Sequence, residues 1–192
     1  MTEQNMTRAT KTKTVYQLKI VLAGTKPPIW RRVQVQDCTL TKLNDIIQRA
    51  MGWYGGHLWA FEIDGEQYGE DPWGGSDLDM MSSRSIKLSQ LVDEGVTKFG
   101  YTYDFGDNWE HRVTVEKTLD ADPTVKYPHC TAGKRACPPE DCGGPWGYDE
   151  FLVAIRDPKH EEHQHLLEWV GGRFDPEELD LNEVNRQLAV IR

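Results

Sequence analysis

The sequence predicts an α+β fold: a mainly antiparallel sheet, one helix inserted early, and a C-terminal helical segment. Three observations carry this. Apolar residues alternate at period two over residues 15–22, 29–35, 57–63, 99–105 and 109–117. The period becomes helical once in the first half, over residues 40–51. From residue 148 onward, helical spacing returns, with acids and prolines in helix-start positions.

Taken in order, Tyr16, Leu18, Ile20 and Leu22 share one face of a first strand. Pro27-Pro28 breaks the chain. Ile29, Arg31, Val33 and Val35 then alternate with Arg32, Gln34 and Gln36, and the short connection makes a hairpin. Leu40, Leu43, Ile46, Ile47, Ala50 and Met51 form a helical stripe, capped by Thr39 or Thr41 and ended by Gly52. His57, Trp59, Phe61 and Ile63 alternate up to the turn signal Asp64-Gly65. Residues 69–79, rich in Gly, Asp and Pro around Trp73, read as a loop, and Leu88 to Val92 as a short helix. Strands over 99–105 and 109–117 meet at a turn through Phe105-Gly106-Asp107-Asn108. Residues 119–147 read as a long loop, which in a compact domain is functional or tied down. Tyr148 to Ile155 read as a short helix. Asp157-Pro158 reads as N-cap and first residue of the next helix, stopped by Gly171-Gly172. Asp175-Pro176-Glu177-Glu178 reads as the start of the last one, its acids at the positive end of the dipole.

The 192 residues fit one domain over 15–192, preceded by a polar arm over 1–14 expected to be disordered. No apolar run approaches the roughly 18 residues of a membrane-spanning helix. The polar N-terminus lacks the apolar stretch of a secretory signal. The expectation is a cytoplasmic chain with no membrane contact. Four cysteines in such a chain argue against a disulfide framework, and Cys38 reads as a small core residue.

The net charge of -9 disfavours duplex binding without a local basic face. The charge is uneven. Eight Lys/Arg and two Asp give +6 over residues 11–49, whereas three Lys/Arg and thirteen Asp/Glu give -10 over residues 139–183. Such an asymmetry can steer a protein or nucleic-acid partner, or be plain solvated surface. Lys11, Lys13, Lys26, Arg31 and Arg32 can touch phosphate, but no aromatic ladder accompanies them, and solvation is the plainer reading.

Chemistry concentrates in Tyr103 through His111 and in Cys137 through Tyr148, which mix acids, aromatics, glycines and metal-ligand types. Cys130, Cys137 and Cys142 lie within thirteen residues, and three thiolates need a fourth ligand to close a tetrahedral zinc site. His111, His57 and His129 are candidates, with His111 the first choice. His111 alternates with Trp109, Val113 and Val115, and His57 with Trp59, Phe61 and Ile63, so each is the polar member of an inward face and needs a partner. Zinc on Cys130, Cys137, Cys142 and His111 would pin the long loop to the sheet and contribute folding energy, in a binding or regulatory domain. The alternative is a metal-dependent hydrolase or nuclease. There His57, Asp104, His111, Glu140 and Asp141 line an open cleft and the metal activates water. The plainer readings are thiols packed in a loop and turn acids bonded to nearby amides. His160-Glu161-Glu162-His163-Gln164-His165 fails the HExxH pattern at Gln164, and no phosphate loop, GxGxxG or GxSxG is present.

Several of these motifs occur together in a recognisable order. Pro28-Ile29-Trp30-Arg31-Arg32, Gly52-Trp53 with His57-Leu58 and Phe61, Tyr103 through His111, and Cys130 through Tyr148 resemble the plasmid pRiA4b open-reading-frame-three-like family. The resemblance runs from about Tyr16 to the last helix. It implies a compact α+β domain of a kind carried by bacteria, archaea and mobile elements, and speaks to fold and extent more than to a reaction. Trp59 departs from the pattern, since a second histidine is familiar there, and this weakens any pairing of residues 57 and 59 as ligands.

Overall fold

In the computed structural model, which describes residues 13–70 and 80–191, the alternating segments assemble into one sheet. Its strands are β1 (Thr14–Leu22), β2 (Ile29–Gln36), β3 (Trp59–Ile63), β4 (Glu66–Gly69), β5 (Met81–Ser82), β6 (Lys98–Tyr103), β7 (Trp109–Asp120) and β8 (His129–Lys134). Among the described residues their order is β5-β4-β3-β6-β7-β1-β2-β8. All pairings are antiparallel except β4 with β5. The helices among these residues are α1 (Leu40–Met51), α2 (Leu88–Asp93), α3 (Gly144–Arg156), α4 (His163–Trp169) and α5 (Leu181–Leu188). The fold is α+β, as the alternation implied.

One face of the sheet builds the core. Leu18, Ile20, Val33, Phe61, Tyr101, Trp109 and Val113 are buried there with Leu40, Leu43 and Ile47 of α1. Their burial supplies the main favourable term of folding, on the order of 1.5–3 kcal/mol for each large apolar side chain. Thr39 caps α1 by accepting from the Lys42 amide, and Gly52 ends it at φ 98°. Arg31, read from the sequence as solvated, is instead buried. Its Nε donates to Ala50 O at 2.9 Å, and its Nη1 donates to Trp30 O at 3.0 Å and Lys134 O at 3.2 Å. It therefore ties β2 to α1 and β8. The alternation with Ile29 and Val33 had already put it on the inward face. Cys38 is buried, as a core residue should be.

Four local expectations are corrected. The long loop over 119–147 contains the end of β7 and all of β8, which pairs with β2 and receives α5. Its sequence, HCTAGK, has no apolar alternation, and an edge position next to β2 requires none. β3 starts at Trp59, so His57 lies in the preceding bend and strand facing rules do not apply to it. Asp157 ends α3 and accepts from the Lys159 amide in a turn, so Asp157-Pro158 does not open α4. Asp175 to Glu178 also form a turn. The last helix is capped by Asp180, which accepts from the amides of Asn182 and Glu183.

Of the expected N-terminal arm, residues 1–12 lie outside the described residues, and Thr14 already belongs to β1. The expected loop over 69–79 likewise lies outside them beyond Glu70. No helix among the described residues is long and apolar enough to cross a membrane.

Candidate metal centre

Three connections converge beside the sheet: residues 52–58 after α1, residues 104–108 between β6 and β7, and residues 135–143 between β8 and α3. Asp104 starts the middle one. Its backbone is left-handed at φ 54°, and its Oδ1 accepts from the amides of Gly106 at 2.9 Å and Asp107 at 3.3 Å. That fixes the carboxylate and leaves Oδ2 facing His57 Nδ1 at 3.6 Å. On the other side of the ring, His57 Nε2 lies 2.9 Å from Asp141 Oδ1. Asp141 is also left-handed, at φ 60°. Aspartate tolerates that region better than most residues, so both carboxylates can be presented from tight turns.

One ligand atom from each of His57, Asp104 and Asp141 lies within 4.8 Å of the other two. Among the described residues this is the one group of three or more His, Cys, Asp or Glu so gathered. Donors at the usual 2.0–2.2 Å from a shared ion sit about 3–3.5 Å apart, and the two carboxylates face different nitrogens of the ring, so one of them must swing round for a single ion to take all three. Asp104 is buried, His57 is half-buried, and Asp141 is exposed, which leaves one side open to solvent.

A hydrogen-bonded frame holds the three connections in place. Glu140 Oε2 accepts from the Tyr54 amide at 2.9 Å, and its Oε1 accepts from the Tyr103 hydroxyl. Tyr103 Oη accepts in turn from the Gly56 amide at 3.0 Å. Burial, and then the Glu140 carboxylate, push the Tyr103 phenol up, so it stays protonated and donates. Trp53 Nε1 donates to Pro138 O at 3.0 Å, and the Gly143 amide donates to Asp107 Oδ2 at 3.1 Å. The start of α3 fits closely against this frame: a Cβ at Gly147 would lie 2.0 Å from Cys142 O.

The predicted candidates therefore separate. His57, Asp104 and Asp141 meet, and Glu140 stands next to them as a clamp. His111 does not join them. It is buried on β7, with Nδ1 3.2 Å from Tyr101 O, Nε2 without a hydrogen-bond partner among the described residues, and its ring edge-on to Trp53. Burial pushes its pKa down to about 4, so it is neutral at physiological pH. Cys130, Cys137 and Cys142 form no such group of three or more, with one another or with His57, His111 or His129. Cys130 sits on β8, where Asn185 of α5 bonds its amide and carbonyl. Burial pushes the Cys137 thiol well up and the Cys142 thiol up to about 12. The sequence reading missed the roles of Tyr103 and Trp53. The signal for Tyr103 was present, because the alternation Phe99, Tyr101, Tyr103 puts a hydroxyl at the inward end of a strand next to the acid-rich turn.

An imidazole with two carboxylates is a mixed donor set suited to zinc, manganese or iron(II) more than to magnesium, which prefers all-oxygen surroundings. Three protein ligands leave coordination positions for water or substrate.

The relatives of this chain share its extent. It is 39% identical over 176 residues to the uncharacterized protein y4hQ of Sinorhizobium fredii (strain NBRC 101917 / NGR234), covering 90% of this chain and 89% of that one. It is similar to the crystal structure of a protein of unknown function, MM3350, from Methanosarcina mazei Go1. The identity there is 40% and the TM-score 0.81, over 90% of this chain and 98% of the other. The family described as plasmid pRiA4b ORF-3-like protein matches residues 14–183. That span takes in every strand and all three connections of the candidate centre, and the chain belongs to the plasmid pRiA4b ORF-3-like protein family.

Proposed function

We propose that this chain binds a divalent cation through His57, Asp104 and Asp141 and uses it as a metal-dependent hydrolase. The observation that supports the reading is the convergence of the three ligand atoms within 4.8 Å at a half-open surface. Three ligands hold an ion and leave room for water, and a cation there lowers the pKa of that water and orients it. The chain's own part is positional. Asp104 is fixed by its turn, Asp141 by the frame around Glu140, and His57 is held between them. Each Glu140 oxygen is already engaged, one by the Tyr103 hydroxyl and one by the Tyr54 amide, so it acts as a support and not as the base.

The second proposal is the structural zinc on Cys130, Cys137 and Cys142 with a histidine, in a binding or regulatory domain. What favours it is position: Cys137 and Cys142 bracket Glu140 and Asp141 on one connection, so a metal there would stiffen the same segment.

Metal-stripped protein titrated with Zn²⁺ and with Mn²⁺ tests the first reading, with heat as the readout for both ions and water-proton relaxation for the paramagnetic Mn²⁺. The expected result is one bound cation with exchangeable water in its shell, and Zn²⁺- or Mn²⁺-dependent turnover of a p-nitrophenyl ester or phosphate that Asp141→Asn abolishes. A bound cation that carries no exchangeable water would sink the hydrolase reading and favour the closed thiol site.

A further inference from the structure

A cleft of about 720 Å³ lies between α3 and α4, and Asp141 of the candidate centre is among its lining residues. Its walls are apolar, with Phe151 from α3 and Leu166 and Trp169 from α4. Val153 and Trp169 on this surface are 60% and 45% exposed, so neither is used up by the core. Its rim is acidic. Asp141, Asp149, Glu150 and Glu162 all line it with His160 and His165, and no Lys or Arg is among the described residues that do. The surrounding stretch, residues 139–183, carries three Lys/Arg against thirteen Asp/Glu, a net -10.

We propose that this cleft is a docking groove for a basic peptide segment that carries an apolar side chain. The apolar walls need a partner that also covers them with hydrocarbon, and the rim needs one that brings positive charge. The four acids come from three places: the connection before α3, α3 itself, and the start of α4. A single ammonium group cannot meet them all, whereas successive Lys or Arg side chains of a peptide can. Nucleic acid and anionic lipid are repelled by the same rim. The groove goes beyond the cation centre: Asp141 lines both, but Asp149, Glu150 and Glu162 belong to the groove alone, so peptide binding does not require the cation. A peptide in the groove would lie against Asp141 of that centre.

The test uses the full chain and a labelled peptide of alternating Lys and Leu, read by fluorescence anisotropy. Saturable binding that weakens with added salt is expected, with no binding of the Glu/Leu counterpart. The double variant Asp149→Lys/Glu162→Lys is expected to weaken it about tenfold. Glu66→Lys/Glu94→Lys, which makes the same charge change away from the cleft, is expected to leave it intact. Val153→Asn, which removes the apolar contact without adding charge, is expected to weaken binding. Asp104→Asn, which disables the cation centre, is expected to bind peptide normally, so failure of either idea is read separately. Equal binding of the two peptides, equal loss in both double variants, or competition by spermine as effective as by the peptide would overturn the proposal.

Discussion

His57 Nε2 lies 2.9 Å from Asp141 Oδ1, and this contact joins the connection after α1 to the connection before α3. No sheet hydrogen bond links those two segments. They are brought together by Tyr103, Glu140 and Trp53 behind them, so the centre rests on a frame of neutral and charge-assisted hydrogen bonds. Asp104 divides its two oxygens, with Oδ1 serving the turn and Oδ2 facing the ring.

A cation bound by the folded chain alone raises its stability. At about 100 times the dissociation constant the gain is about 2.7 kcal/mol, or roughly 5–10 °C in Tm for a chain of this size. Differential scanning fluorimetry with Zn²⁺ or Mn²⁺ is expected to show that rise in the wild type and not in Asp141→Asn. Asparagine tolerates the left-handed backbone at this position, so the variant is expected to fold.

Tyr103→Phe keeps the buried ring and removes the hydroxyl that bridges Gly56 and Glu140. It is expected to cost about 1–3 kcal/mol in urea unfolding, because a carboxylate and an amide lose their partner together. Cation affinity should fall with it, since Glu140 no longer fixes the segment that carries Asp141. Unchanged affinity would show that the frame does not position the ligands.

His111 gives a pH dependence of known sign. Its folded-state pKa is depressed to about 4 by burial, from an ordinary 6.5. The stability it contributes is therefore present above pH 6.5 and is lost as pH falls through about 4. The loss is on the order of 3 kcal/mol. Urea unfolding of the wild type and His111→Gln at pH 7 and pH 4.5 checks this, with the wild type expected to lose more.

Gly147→Ala places a methyl group 2.0 Å from Cys142 O, so the backbone before α3 must move. A cost of about 1–3 kcal/mol is expected, with weaker cation binding. Gly56→Ala is the control. Its Cβ meets nothing within 4 Å, and the change is expected to stay within about 0.5 kcal/mol.

The sheet was legible because one face is buried and the other is not, so period two survives in β1, β2, β6 and β7. β8 was not, because its pairing is dictated by the free edge of β2 and leaves no mark on HCTAGK. The start of α5 was misplaced because Asp175 and Asp180 are equivalent cap candidates in sequence, and only one is followed by a helix. At the site, His57, Asp104 and Asp141 were each named, but which acids meet which histidine depends on two left-handed residues and a tyrosine clamp. Cysteine spacing drew attention to the segment that also carries Asp141. Spacing along the chain cannot show that Cys130 faces α5 while Asp141 faces His57.

The most direct measurement is the metal content of tag-free protein after loading with Zn²⁺ and dialysis, compared between the wild type, Asp104→Asn and Cys137→Ser. Asparagine can still accept the Gly106 and Asp107 amides, so the first variant removes charge at the centre and keeps the turn. The account expects one zinc per chain in the wild type and in Cys137→Ser, and none in Asp104→Asn. Zinc kept by Asp104→Asn and lost by Cys137→Ser would contradict it and assign the metal to the thiols.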